Sequence, residues 1–376
     1  MKVIYLHHLP FPWGRAHDVH VIKTVYYLAR EGLPTLLLAP LKKAFRRPEA
    51  LLKYYGLGPP PEKLKIVPIP VLRIRRPFKL AVNSIYDLFL RLYLRRHPPS
   101  EGSLFLFSEA RLVRLALRLA PEVPRILEIH GLRYFKKGGP CPEEKKVFEA
   151  LSLGLITTRA LKELIQEIYA PSVPLEHLPL ASEPLTDTIS RDKNHPPLMV
   201  YAGQLYPGQG VEVVLEALKY LPAARLVVIG GRKKDLDRLQ RLSRALNLSS
   251  RVKFTGYLPP AQVRSWLLKA DLLVLPALPE GKQPYVAHQK LYEYLGAGRP
   301  VLASNLPSVR EEIEEGEALL FEPGNPEDLA QKAQIVLGNE DLAQKLAHKA
   351  LKRAQYFDWP ARTRRMLKIL KGYGYG

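Results

Sequence analysis

The chain has 376 residues, 47% hydrophobic and 25% charged, enough for two domains with cores of their own and too apolar for a disordered chain. Its formal net charge is +21, and its apolar runs are strand length, too short to span a bilayer. One cysteine excludes an internal disulfide and points to a reducing compartment, and Cys141, in GGPCPEE, reads as a surface thiol. Met1-Lys2 leads directly into a strand-like run without a signal-peptide pattern, so the expected location is cytoplasmic, soluble or peripheral on the inner face of the membrane.

Residues 1–184 alternate strand-like and helix-like segments, as a doubly wound α/β domain does. A strand is predicted over 3–8 (VIYLHH), followed by a loop over 9–18 with Pro10, Pro12 and Gly14, and a helix over 19–30. Further strands are expected over 35–38, 66–69, 104–107, 126–129 and 153–157. An amphipathic helix is expected over 80–94, with others after Ser108 and Arg159.

The charge is concentrated in this half. Between Lys42 and Arg96 there are 14 Lys/Arg against 3 acids, about half of the whole excess. Phe45, Tyr54, Tyr55, Phe78, Tyr86, Phe89 and Tyr93 are interleaved with them. Basic residues mixed with aromatics on amphipathic segments suit an anionic membrane surface. A solvated surface rich in Lys, Arg and Pro is a second reading. Nucleic acid is the third and is not expected, because no helix-turn-helix, zinc-finger or RNA-binding signature accompanies the charge.

Residues 185–197 are polar and end in Pro-Pro, the expected linker. A second alternation occupies 198–355, with strands predicted over 198–201, 225–229, 252–254, 272–275, 301–303 and 318–321. Asn325-Pro326-Glu327-Asp328 is a capped helix start with Pro at the first helical position. Residues 356–376 carry a last amphipathic helix.

The most informative stretch is 284–305, PYVAHQKLYEYLGAGRPVLASN. Leu291, Tyr294 and Leu295 recur at helical spacing with Glu293 on another face, Gly296-Ala297-Gly298 ends the helix, and a strand resumes at Val301. Strand, loop, helix, strand is the unit whose loop and helix N-terminus form an anion-binding mouth. A carboxylate one turn into that helix, Glu293, can accept both hydroxyls of a ribose whose phosphates sit on the helix end.

These residues resemble the donor-sugar loop of retaining glycosyltransferases of family 4, which have the GT-B architecture. Lys290-Leu291-Tyr292-Glu293-Tyr294-Leu295 and Gly298-Arg299-Pro300-Val301 carry the resemblance. It implies two Rossmann-like domains facing across a cleft, an acceptor-binding one over 1–184 and a nucleotide-sugar-binding one over 198–355. It also implies that the tail, 356–376, crosses back to the first. Glu293 is then the ribose ligand, and Lys290 and Leu291 lie where the diphosphate meets the helix. Gly203, Gln204, Gln209 and Gly210 lie in a segment similar to the family's G-R-L…K-G-V, with both basic positions replaced by Gln. A further acidic position of the family pattern is Tyr285 here, with Glu280 in the same loop. Lys282, Lys290, Arg15 or Arg232 would have to supply the missing positive charge. His130, within Glu-Ile-His-Gly, ends a strand and is expected to contact the transferred sugar or phosphates. Trp13, Gly14, Arg15 and His17 lie on a first loop that in relatives closes over the diphosphate, and His20 follows on the helix.

Asp235-Leu236-Asp237 mimics a metal-binding D-x-D but falls within a charged helical stretch and reads as solvated surface. No His/Cys cluster has metal spacing, and G-x-G-x-x-G is absent. The reading is a metal-independent retaining glycosyltransferase with no cofactor, using a nucleotide-sugar as co-substrate and a saccharide or lipid-linked acceptor. The alternatives are a non-catalytic protein of this fold that binds nucleotide, lipid or polymer, and a sugar-nucleotide epimerase.

Overall fold

A computed structural model describes residues 1–12, 16–71, 79–185 and 195–375. The chain forms two compact units. The first comprises Met1–Thr157, Lys162–Leu178 and Trp359–Gly376, and the second comprises Thr158–Leu161 and Pro179–Asp358.

The first unit is built on a parallel sheet of seven strands, β1 (Lys2–Leu6), β2 (Thr35–Ala39), β3 (Leu64–Pro68), β4 (Ser103–Phe107), β5 (Arg125–Ile129), β6 (Leu153–Ile156) and β7 (Leu175–His177). Their order is β3-β2-β1-β4-β5-β6-β7. Strands such as TLLLA and SLFLF are buried at every position because helices cover both faces of a parallel sheet. The helix Ala16–Arg30 packs on this sheet and receives the tail helix Trp359–Gly372, whose Trp359 stacks on Tyr27 with centroids 6.0 Å apart. Met366 and Leu370 of the tail join the same core as Val3, Tyr5 and Leu104.

The second unit has six parallel strands, β8 (Leu198–Ala202), β9 (Arg225–Ile229), β10 (Val252–Gly256), β11 (Leu272–Leu275), β12 (Val301–Ser304) and β13 (Leu319–Phe321). They are ordered β10-β9-β8-β11-β12-β13. One core lies on each face of the sheet, around Met199 and Val214 on one side and Leu273 and Tyr294 on the other. Asn325 caps the helix Pro326–Gly338, its side chain accepting from the backbone N–H of Glu327 and Asp328.

Several details differ from the sequence expectation. β7 and the helices Pro48–Tyr54 and Pro142–Glu149 were not predicted. Cys141 is buried and not a surface thiol. Its N–H donates to the Tyr169 hydroxyl at 3.0 Å, and that hydroxyl donates to Glu144 at 2.7 Å, so the loop is drawn onto the helix that follows it. Asp235 and Asp237 lie half-exposed on the helix Lys233–Ala245, with Arg232 3.9 Å from Asp235, as a solvated charged stretch requires.

Candidate active site

In the second sheet the connections leave β8 and β11 in opposite directions, so a crevice opens beyond the carboxyl ends of these neighbours. The loop 203–210 leaves β8, and the loop 276–288 leaves β11 and ends at the helix Gln289–Gly296. The two loops are joined by the Leu278 N–H donating to the Gly208 carbonyl at 3.0 Å. Gly210 has φ +69°, and a Cβ there would lie 1.7 Å from the Pro276 carbonyl oxygen, so only glycine permits this approach. Tyr294, buried within the helix, accepts the Ala202 N–H at 2.8 Å and so ties the helix to the end of β8.

Lys290 stands in the first turn of that helix. Its ammonium donates to Gln209 Oε1 and to the Tyr201 hydroxyl at 3.1 Å, and it lies 4.9 Å from the centre of the Tyr201 ring. Burial lowers its pKa to about 8, opposed by the Glu293 carboxylate. The Tyr201 hydroxyl, itself buried, donates to the Gln204 carbonyl. His288 precedes the helix, and its Nε2 is 3.0 Å from the Gln283 carbonyl. Burial first and Lys290 second bring its pKa down to about 4, so it is neutral at pH 7.

Gly203, Gln204, Gln209, Gly210, Lys290, Leu291 and Glu293 thus all belong to one crevice edge. Their roles differ. Gln209 is buried and takes the Lys290 ammonium, whereas the Gln204 side chain is exposed and only its carbonyl takes part. The Leu291 side chain is fully buried in the core, so only its backbone can face a ligand. The Glu293 side chain is exposed, as are Glu280 and Lys282, and Arg232 follows β9 with its side chain 78% exposed. Tyr285 is half-buried, its carbonyl accepting from the Thr158 hydroxyl. Trp13, Gly14 and Arg15 lie outside the described residues, as do 72–78 of the basic region and 186–194 of the linker.

His130 belongs to the first unit, where it follows β5. The carboxylate of Glu128, at the end of that strand, is buried, with His20 Nε2 on one oxygen and both terminal Arg362 nitrogens 3.4 Å from the other. His130 Nε2 is 3.8 Å from Glu128 Oε2, and the His20 and His130 rings meet edge to face at 4.7 Å. Burial brings the His20 pKa down to about 3 and lowers that of His130, while Arg362 and His20 hold the Glu128 carboxyl well below its usual range against its own burial. Glu128 was quoted only as part of Glu-Ile-His-Gly, with no role of its own, and Arg362 was not singled out in the sequence. The fold also gathers His7, His17 and Glu109 from three separate segments, a grouping that no local spacing in the sequence reveals.

Residues 186–353 match the family described as glycosyl transferases group 1. The sulfoquinovosyl transferase SQD2 of Arabidopsis thaliana is 26% identical over 188 residues, 48% of this chain and 34% of that protein, so the chain spans about a third of this relative's length. Among solved structures, the sucrose-phosphate synthase of Thermosynechococcus elongatus superposes with a TM-score of 0.78 at 17% identity, covering 99% of both chains. Alr3699/HepE of Anabaena, solved with UDP-glucose, superposes with a TM-score of 0.72 at 14% identity, covering 99% of this chain and 100% of that one. At such identities the likeness is one of fold. Residues 186–353 are thus similar to the glycosyl transferases group 1, within a chain whose two units have the fold of the GT-B glycosyltransferases.

Proposed function

We propose that the chain moves a sugar from a nucleotide-sugar donor to a saccharide or lipid-linked acceptor, with retention at the anomeric carbon and no metal at the diphosphate. The observation that carries this reading is Lys290. It is a half-buried ammonium, its pKa lowered by burial, in the first turn of a helix at the sheet's switch point, with an exposed carboxylate, Glu293, three residues on. Charge and helix dipole act together there on a leaving diphosphate, and low local dielectric strengthens both. Glu293 accepts the ribose hydroxyls. His130, neutral at pH 7, offers the transferred sugar a hydrogen bond and no charge.

The first unit supplies a membrane-docking face in this proposal. On the helix Lys79–Arg96, Leu88, Phe89 and Leu92 are 52%, 39% and 49% exposed, beside Arg91, Arg95 and Arg96. Exposed apolar side chains among arginines suit the headgroup boundary of an anionic leaflet. No helix among the described residues is long and apolar enough to cross a membrane. A cytoplasmic protein held peripherally on the inner leaflet, without a nucleic-acid partner, is the corresponding location.

A non-catalytic nucleotide-binding protein is the second reading, and Gln209 is what favours it. A neutral amide there engages the Lys290 ammonium where the family pattern has a cation. Incubation with UDP-, GDP- and ADP-sugars separates the two. The enzyme consumes a donor with retention seen by NMR of the anomeric proton, and Glu293→Ala abolishes this while remaining folded. Nucleotide binding without donor turnover supports the second reading, and no nucleotide binding at millimolar concentration sinks both.

A further inference from the structure

The switch point of the first sheet lies between β1 and β4, and polar side chains converge there. His7 and His8 follow β1, Glu109 follows β4, and His17 stands in the first turn of the helix Ala16–Arg30. His7 Nδ1 is 3.0 Å from Glu109 Oε1, and His17 Nε2 is 3.5 Å from the same oxygen. The other oxygen, Oε2, accepts the His8 N–H at 3.3 Å and lies 2.9 Å from His8 Nδ1.

Separations this short ordinarily mean well-formed hydrogen bonds, yet several of these atoms make none that meets strict geometry. His7 Nδ1, His8 Nδ1 and Glu109 Oε1 are buried, and none has a partner in hydrogen-bonding geometry. Lone pairs that face a common point give short distances with poor donor angles; an N–H aimed at an oxygen does not. His7 is fully buried, with its ring stacked on Phe11 at 4.4 Å, so its orientation is set by packing.

We propose that His7 Nδ1, His17 Nε2 and Glu109 Oε1 form a binding site for a divalent transition-metal ion of the zinc class. Zinc holds imidazole nitrogen and carboxylate oxygen at about 2.0–2.2 Å in a tetrahedron, which puts neighbouring donors about 3.3 Å apart. The observed 3.0 and 3.5 Å lie on either side of that value. All three donor atoms lie within 4.8 Å of one another. Two imidazoles and one carboxylate suit zinc, and three protein donors leave a fourth position open. The His8 N–H on Oε2 orients the carboxylate. Ser108 Oγ, which accepts from the Tyr5 hydroxyl at 2.9 Å, hydrogen-bonds His17 Nε2 at 3.2 Å, a bond that an ion at Nε2 would displace. His17 is 28% exposed, which gives an ion a way in. The site belongs to the first unit and does not rest on the transfer reaction proposed above.

The test uses the full chain without a polyhistidine tag, stripped with EDTA and titrated with ZnCl2 by calorimetry and with CoCl2 by visible absorption. The expected result is one ion per chain, an intense low-coordinate cobalt spectrum and a rise in Tm on metal addition. His17→Ala and Glu109→Gln should each weaken zinc by at least about 10-fold, while the exposed His348→Ala leaves it unchanged. His7→Ala removes a buried ring, so circular dichroism checks every variant and the half-exposed His17 carries the test. Zinc binding no tighter in the unsubstituted chain than in His17→Ala/Glu109→Gln overturns the proposal. So does the weak spectrum of six-coordinate cobalt, because a proton shared between His7 and Glu109 would then account for the cluster.

Discussion

Replacing Arg362 by Met removes the guanidinium that faces Glu128 inside the first unit. Both side chains are at most 2% exposed, and Arg362 is the full positive charge on that carboxylate among the described residues, because burial keeps His20 neutral with a pKa of about 3. At 3.4 Å and an effective dielectric of about 20, the lost attraction is about 5 kcal/mol. Broken buried pairs cost about 3–5 kcal/mol, since the surviving charge stays out of water. Methionine fills the volume of the arginine stem, so cavity formation adds little. Urea unfolding followed by circular dichroism and tryptophan fluorescence reads the effect, because Arg362 lies over the Trp359 ring at 5.9 Å. With a urea slope of about 3 kcal/mol/M, the transition of the first unit should move down by about 1 M or more. That of the second unit should stay where it is. Glu128→Gln/Arg362→Met should recover most of the loss, since the uncompensated charge is gone. A shift in Arg362→Met below about 0.3 M, or a double variant no more stable than Arg362→Met alone, would refute the argument that charge holds this network.

Lys290 predicts a pH dependence. A bound diphosphate favours the ammonium and raises its pKa from about 8, so UDP affinity is full below that pH and falls as pH rises through the bound-state value. The decline should approach about tenfold per pH unit between the two values, and calorimetry in buffers of different ionisation enthalpy should detect proton uptake. Lys290→Met should bind UDP weakly at every pH, and a flat profile in the unsubstituted chain would contradict the assignment. Gly210→Ala places a Cβ against the Pro276 carbonyl with no flexible atom to yield, so we expect a loss of more than about 3 kcal/mol and of UDP binding. Gly208→Ala, whose nearest neighbour is the Gln283 amide at 3.6 Å, should lose only the strain of its positive φ, about 1–2 kcal/mol. Flotation with anionic liposomes should recover the chain, Leu88→Gln/Phe89→Gln/Leu92→Gln should stay at the bottom, and equal recovery with neutral vesicles would dismiss the docking face.

What was readable in the sequence follows from how parallel sheets are made. LLVL, RLVVI and SLFLF are continuous apolar runs between polar or Gly/Pro breaks, so the central strands declare themselves. β7, with the sequence LEH at the sheet edge, has neither length nor alternation. The crevice in the second unit was readable because its residues come from two short stretches joined to adjacent strands. The first unit's polar groups were not. Tyr5 meets Ser108 across 103 positions, and Arg362 meets Glu128 across 234, so only the strand order brings them together.

Gln209 shows the same limit from the other side. Read along the chain, it is a lost cation in the G-R-L…K-G-V segment, and the loss argues against a leaving-group site. In the fold it is 5% exposed and accepts the ammonium of Lys290, which reaches it from a helix 81 positions further on. A lysine at 209 would set two ammonium groups against each other in a desolvated crevice before any anion arrived. With glutamine there, Lys290 is the cation that Gln209 meets among the described residues, held by an amide and a phenol that orient it without neutralising it. Under the proposed function, such an arrangement would bind a diphosphate with fewer charges and make that binding answer to the protonation of Lys290.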